Sequence, residues 1–101
     1  MRQLAFDDDD AALYTVGQVA GMLELQSAFL RRLDREGIVQ PARSDGGQRR
    51  YSRVDVAQVQ HVTRMTEEGM SLAGIRRILA LETEVADLKA QLAALEGAGP
   101  A

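Results

Sequence analysis

Seven arginines are concentrated in the middle of this sequence, within residues 31–53. The same stretch contains three carboxylates, so its net charge is +4, whereas the whole chain of 101 residues carries a net charge of −3. A guanidinium group is planar and always charged, and its paired donors match phosphate oxygens and the edge of guanine. A basic block inside an acidic chain therefore predicts contact with a nucleic acid. The alternative is a solvated face that keeps a small domain in solution. The arginines are Arg31, Arg32, Arg35, Arg43, Arg49, Arg50 and Arg53.

Residue types that most other chemistries need are scarce. The chain has no cysteine and a single histidine, His61, so we predict no disulfide, no metal site and no cofactor. The serines fit helix caps or turns, and no phosphate-binding glycine loop or pair of carboxylates beside a base is present, so we expect no enzyme activity. No apolar run reaches the ~18 residues of a membrane span, and the N-terminus lacks the apolar segment of a signal peptide. We therefore expect a soluble cytoplasmic protein.

The elements that would position the first arginines are two short helices. Thr15 can cap a helix that begins at Val16, whose apolar residues share one face. A second helix is predicted from about Ala28 to Glu36, with Gln26 or Ser27 at its start. Its apolar residues face inward and leave the arginines on the other side. Gly37 ends it in a left-handed conformation. Two short helices joined by a tight turn predict a helix-turn-helix.

A β-hairpin is predicted immediately downstream. The stretch "VQPARSDGGQRRYS" reads as a strand, a turn at Gly46 and Gly47, and a return strand. Glycine tolerates the positive φ that such turns need. A hairpin after a helix-turn-helix is a wing, whose tip can reach the DNA backbone beside the groove that the second helix enters. Arg43, Arg49 and Arg50 would then meet phosphates.

Two further helices follow the wing. Ser52 and Asp55 mark the start of one, Gly69 ends it, and Ser71 caps a last helix that runs to Glu96. The last helix carries apolar residues at spacings of three and four, which is typical of a coiled-coil seam. A second copy of the chain is the simplest partner for this stripe; the alternative is that the helix folds back on its own domain. The stripe consists of Ile78, Leu81, Val85, Leu88, Leu92 and Leu95.

Several separated segments, in this order, resemble the MerR family of DNA-binding regulators. They are "YTVGQVA", "LRRLDREGIV", "GQRRYS" and "GMSLAGIRRIL", and together they span roughly residues 13–81. Within that family, "GGQRRYS" and "LAGIRRI" followed at once by a short coiled coil are most similar to the actinobacterial heat-shock repressors of the HspR subgroup. The resemblance implies a mainly α fold: a winged helix-turn-helix head with a two-stranded wing and a C-terminal coiled-coil helix.

The resemblance also implies roles for individual positions. In the family the second helix lies in the major groove, with an arginine matching Arg31 near the DNA. The wing arginine matches Arg49, the wing glycine matches Gly47, and the tyrosine that braces the hairpin matches Tyr51. This chain departs from the family at Ala28, where a polar or basic residue is common, and at Leu33, where tyrosine is common. Both positions lie near the DNA in relatives. The predicted DNA-contact residues are Thr15, Gln26, Ser27, Ala28, Arg31, Arg32, Arg35, Arg43, Arg49, Arg50 and Tyr51.

These inferences predict four segments: an acidic disordered tail (1–12), the DNA-binding head (13–81), a dimerisation coiled coil (78–96) and a frayed tail (97–101). The first functional hypothesis is a homodimeric, sequence-specific repressor that binds an inverted-repeat site on double-stranded promoter DNA in the bacterial nucleoid. The resemblance adds a DnaK-type chaperone as a co-repressor. The second hypothesis is a protein-interaction adaptor or an excisionase-like accessory factor. A salt titration of duplex binding distinguishes the two, because phosphate contacts weaken steeply with salt.

Overall fold

The computed structural model describes residues 9–97. Four helices and three very short strands make up this part of the chain, which confirms the mainly α fold with a winged helix-turn-helix head. In chain order the elements are β1 (Tyr14–Thr15), α1 (Val16–Leu23), α2 (Ser27–Arg35), β2 (Ala42–Arg43), β3 (Arg49–Tyr51), α3 (Arg53–Glu67) and α4 (Leu72–Gly97).

The starts of α1 and α3 are fixed by reciprocal side-chain caps. The Gln18 backbone N–H donates to Thr15 Oγ1 at 3.1 Å, and the Thr15 N–H donates to Gln18 Oε1 at 2.8 Å. Ser52 and Asp55 make the same exchange at α3, at 3.0 and 2.9 Å. Each pair satisfies amide donors that a helix start otherwise leaves unpaired. Both predicted helix starts are therefore confirmed.

The wing belongs to a three-stranded sheet rather than a two-stranded hairpin. β3 is the central strand, antiparallel to β2 on one side and to β1 on the other. Tyr14 is opposite Tyr51, and Ala42 is opposite Arg50. The prediction was incomplete because two residues of β1 are too few to show an alternating pattern. The wing is consequently joined to the residues that start α1.

The core lies where the helices meet the sheet. Each of α1, α2, α3 and α4 buries residues in it, together with the segment that follows α2 and with Tyr51. Gly37 ends α2 with φ of +70°, as predicted, and lets the chain turn so that Ile38 and Val39 enter the core. The buried side chains include Val19, Leu30, Leu33, Val59, Val62, Met65 and Ile75.

Helix α4 begins in the core and then leaves it. Ile75 is fully buried, and Ile78 and Leu79 pack at the edge of the core. His61 Nε2 on α3 lies 2.9 Å from Glu82 Oε1 on α4 and joins the two helices there. Every residue of α4 beyond Leu79 is exposed. The alternative in which this helix folds back on its own domain is therefore wrong for residues 83–97.

The predicted acidic tail is described only from Asp9 onward. The Val54 N–H donates to the Asp9 carbonyl at 3.2 Å, and the Asp9 carboxylate lies 3.8 Å from the Arg53 guanidinium. Asp9 thus contacts the start of α3, which corrects the prediction of a disordered segment at this residue. Residues 1–8, and 98–101 of the predicted frayed tail, lie outside the described residues, and Gly97 still belongs to α4. None of the helices within residues 9–97 is both long and apolar enough to cross a membrane.

Candidate nucleic-acid interface

Helix α2 presents its arginines because its opposite face is committed to the core. Leu30 and Leu33 are buried, so the helical period turns Arg31, Arg32 and Arg35 toward solvent. The burial of Leu33 corrects its placement near the DNA, because it faces the core. The predicted amphipathic pattern of α2 is confirmed.

The first turn of α2 is open to solvent. Gln26 is the N-cap, without a side-chain hydrogen bond, and its carbonyl accepts from the Phe29 N–H at 3.0 Å. Ser27 is the first helical residue, one position earlier than predicted. Gln26 and Ala28 are exposed and Ser27 is half-buried. A polar partner can therefore approach the α2 N-terminus, where the helix dipole favours negative charge.

A concave surface of about 370 Å³ lies between α2 and the wing. We call it the arginine hollow. It brings one arginine of α2 together with three from the wing, although up to 19 positions separate them in the sequence. Such a grouping of like charges costs energy in the free protein and favours a polyanion. The hollow is lined by Thr15, Val16, Arg31, Arg43, Gly47, Gln48, Arg49 and Arg50.

One carboxylate ties both wing strands to α2. Asp34 Oδ2 accepts from Arg49 Nε at 2.7 Å and from Arg43 Nη2 at 2.9 Å. Arg43 Nη1 also donates to the Gly47 carbonyl at 3.1 Å and so braces the turn. The side chains of Asp34 and Arg49 are only 12% and 18% exposed, so this pair is shielded from solvent much more than a surface ion pair.

The three arginines of α2 differ in their partners. Arg32 Nε donates to Glu36 Oε2 at 2.7 Å, and Arg76 on α4 lies 3.9 Å from the same carboxylate. Within residues 9–97, Arg31 and Arg35 have no carboxylate at ion-pair distance. Of these four, only Arg31 lines the arginine hollow. Arg31 is therefore the most available cation of α2 for a phosphate or a base edge.

Tyr51 is not a surface contact, which corrects its inclusion among the DNA-contact residues. Its side chain is fully buried, and its hydroxyl has no hydrogen-bond partner among the described residues. Burial raises the pKa of the Tyr51 hydroxyl; Arg49 lowers it, Asp34 and Asp55 raise it further, and Arg43 lowers it. Its ring anchors β3 to the core, in agreement with the bracing role that the resemblance implied.

Thr15 and the wing glycines serve the shape of the site. The Thr15 hydroxyl oxygen accepts from α1, which leaves its proton free to donate into the hollow. Gly47 adopts φ of +82°, so it supplies the left-handed residue of the turn, whereas Gly46 does not have a positive φ. The Gly47 N–H donates to the Ser44 carbonyl at 2.8 Å and closes that turn.

Sequence reasoning missed two participants in this site. The sequence pattern gives Asp34 only as a charge that opposes the arginines, and it gives no role to Gln48. Gln48 lines the hollow beside Arg49. The position of Asp34, three residues after Arg31, signals that both lie on the same side of α2. No local pattern signals that Asp34 reaches the wing, because its partners are 9 and 15 residues away in the sequence.

Comparison with known proteins places this fold among transcriptional regulators. Residues 14–82 match the model of the MerR HTH family regulatory proteins. The chain is 40% identical over 98 residues to HspR of Streptomyces coelicolor, a protein named for heat shock, across 92% of this chain and 65% of HspR. It is 31% identical over 72 residues to the HTH-type transcriptional regulator MlrA of Escherichia coli, across 70% of this chain and 30% of MlrA. The chain thus spans less than two thirds of either relative.

Solved structures agree with this assignment. The N-terminal part of MtaN, the multidrug transporter activator of Bacillus subtilis, superposes with a TM-score of 0.63 at 26% identity, over 83% of this chain and 89% of that one. HiNmlR, a MerR family regulator lacking the sensor domain and bound to promoter DNA, gives a TM-score of 0.60 at 24% identity, over 82% and 75% of the two chains, and shares the fold. The resemblance seen in the sequence is confirmed: this chain belongs to the MerR HTH family of regulatory proteins.

Proposed function

We propose that this chain is a sequence-specific DNA-binding transcriptional regulator that grips duplex DNA with the arginine hollow and the exposed face of α2. The observation that carries the proposal is the convergence of Arg31, Arg43, Arg49 and Arg50 on one concave surface of an acidic protein. A cluster of guanidinium groups, exposed at Arg31 and Arg43 and half-buried at Arg49 and Arg50, is matched by successive phosphates along a DNA backbone. The fold that it shares with the DNA-bound HiNmlR is consistent with this role.

The geometry suggests a division of labour within the head. Arginines of the wing contact the backbone, which holds the head in register without reading sequence. The open first turn of α2 enters the major groove, where Gln26, Ser27 and Arg31 are the side chains that can reach base edges. Ala28 offers only a methyl group, which suits contact with a thymine methyl.

The exposed stripe of α4 supports the proposal that the chain forms a homodimer. Leu81, Val85, Leu88, Leu92 and Leu95 are 48% to 72% exposed, and they lie on one side of a helix that is about 39 Å long at 1.5 Å per residue. A second copy of α4 covers such a stripe. Two heads joined in this way match an inverted-repeat site, and the second head gains affinity from its tethering. Occupation of a promoter by this dimer would repress transcription.

The salt dependence of duplex binding tests the proposal. With three to four phosphates neutralised per head, a dimer should lose affinity with a log–log slope of roughly −5 to −7 in a fluorescence-anisotropy titration. Arg31→Ala removes one contact per head, so the slope should become shallower by about 2. The matched control is Arg64→Ala, because Arg64 is an exposed arginine of α3 that lies outside the arginine hollow. Equal slopes for the two variants, or flat binding by the native chain, would refute DNA contact through this surface and favour an adaptor.

A DnaK-type chaperone as co-repressor is a further part of the proposal, and the likeness to HspR supports it. Addition of purified DnaK should strengthen or sharpen binding to an operator duplex in the same anisotropy assay. The same duplex with DnaK alone is the control. An operator affinity that does not change on addition of the chaperone would remove this partner while leaving DNA binding intact.

A further inference from the structure

The contact between Asp34 and the wing could either weaken or strengthen DNA binding. A carboxylate beside a DNA-binding surface repels phosphate, and its removal should by charge alone strengthen binding. Yet this carboxylate sits at the junction of α2 and both wing strands, bonded to two arginines of the hollow. Two roles are therefore open to it: a competitor that occupies the arginines, or a support that aims them.

We propose that Asp34 is a positioning residue for DNA recognition, so that one carboxylate of α2 sets the placement of the wing arginines and its loss weakens binding. This inference rests on the proposed function, since it concerns the same surface. It predicts an effect opposite in sign to the electrostatic expectation. The role belongs to Asp34 through Arg49 and Arg43, and Asp34 itself touches no DNA.

The donor atom that Arg49 uses indicates that Asp34 supports this arginine rather than competes with DNA for it. Arg49 uses Nε, on the inner side of its guanidinium, for Asp34 Oδ2. Its terminal nitrogens, Nη1 and Nη2, make no hydrogen bond to Asp34. These two nitrogens can donate together to a phosphate in a bidentate contact. Arg43 differs, because Asp34 takes its terminal Nη2 and the Gly47 carbonyl takes its Nη1, so free terminal donors are a feature of Arg49. Arg49 therefore keeps its DNA-binding donors while its stem is held.

The burial of the Asp34–Arg49 pair also favours a supporting role for Asp34. Asp34 is 12% and Arg49 18% exposed, so Arg49 lacks the solvent that lets a surface arginine adopt many rotamers. An arginine held in one conformation loses less entropy when it binds, which strengthens the contact. Without Asp34, a half-buried guanidinium has no partner and turns toward water. The wing arginines would then have to be ordered again on the DNA.

The other link made by Arg43 extends the same support to the wing tip. Its guanidinium bridges Asp34, at 2.9 Å, and the carbonyl of Gly47, at 3.1 Å. Asp34 is in this way connected through one side chain to the residue that turns the hairpin. A change at Asp34 is therefore expected to move the wing tip as well as Arg49.

The test compares two variants that remove the same charge. Asp34→Asn should weaken operator binding by about tenfold, the size expected when hydrogen bonds to charged groups are lost. Asp45→Asn, at the exposed wing turn and with no ion pair among the described residues, should leave affinity unchanged or raise it. Binding of Asp34→Asn as tight as or tighter than that of the native chain would overturn the proposal and identify Asp34 as a competitor.

A double-mutant cycle shows whether Asp34 acts through Arg49. In an Arg49→Ala background, Asp34→Asn should cost clearly less than tenfold, because one of the two arginines that it positions is gone. An undiminished tenfold loss in that background would contradict the positioning role. Val62→Ala controls for stability, since Val62 is a fully buried core residue of α3 that does not line the arginine hollow. An equal loss of binding in Val62→Ala would overturn the proposal in favour of a general effect of stability.

The two proposals fail separately in these experiments. If the native chain binds no duplex, DNA binding is refuted and the positioning role with it. If the native chain binds with the expected salt slope while Asp34→Asn binds equally well, only the positioning role is refuted. The anisotropy assay gives both results from the same samples.

Discussion

Truncation of Leu88 to alanine tests whether the stripe on α4 is a dimer interface. Leu88 lies in the middle of the stripe and is 61% exposed in the single chain. Burial of a whole leucine side chain stabilises by about 1.5–3 kcal/mol, so covering the exposed part of Leu88 contributes about 1–2 kcal/mol. A two-fold dimer contains two copies, which doubles the loss to about 2–4 kcal/mol. The dimer dissociation constant of Leu88→Ala should therefore rise by about 30- to 700-fold.

Sedimentation equilibrium over a wide range of protein concentration measures this constant directly. Met22→Ala is the matched control, because Met22 is a large apolar residue, 53% exposed, that lies on α1 away from the stripe. Its dissociation constant should equal that of the native chain. Dimers of equal strength in Leu88→Ala and Met22→Ala would show that the stripe is not the interface. A native chain that stays monomeric at every concentration, alone and on a duplex, would refute the dimer itself.

Three further predictions concern the stability of the head, measured by thermal or alkaline unfolding. Tyr51→Phe removes a buried hydroxyl without a partner, so it should leave the free energy of unfolding unchanged or raise it by about 1 kcal/mol. Burial raises the pKa of Tyr51 in the folded chain. The contribution of its neutral hydroxyl to the free energy of unfolding should therefore be fully present below the ordinary pKa of 10.0 and be lost as pH rises through the folded value. Tyr51→Phe should lack this part of the alkaline loss of stability. Gly37→Ala forces a side chain into φ of +70° and should cost about 1 kcal/mol, whereas no loss would contradict the left-handed conformation of that residue.

The local elements of the head could be predicted because their signals are short-range. The pairs Thr15 with Gln18 and Ser52 with Asp55 are three residues apart, and the structure forms both caps. The inward face of α2 follows from its period, and Gly37 marks its end. These features depend on neighbours in sequence, so a linear pattern is enough to find them.

The features that were missed depend on distant pairs. β1 has only two residues, and its existence depends on Tyr14 meeting Tyr51, 37 positions later. The burial of Tyr51 and the reach of Asp34 to Arg49 likewise arise when α2 and the wing pack together. A residue pattern gives the polarity of Asp34 and the aromatic character of Tyr51, but their surroundings come from the tertiary fold.

The continuity of α4 has a consequence for the geometry of the proposed dimer. The same helix holds Ile75 in the core of the head and carries the outer stripe, with no break between them. In the proposed dimer, the relative orientation of the two heads therefore depends on the rotation of the stripe about the axis of α4. Since an α-helix turns by about 100° per residue, inserting one alanine after Leu81 would swing the outer stripe by that angle and aim the two heads at different sides of a duplex. Insertion of seven residues would nearly restore the phase and would instead lengthen the distance between the two half-sites that the pair can span.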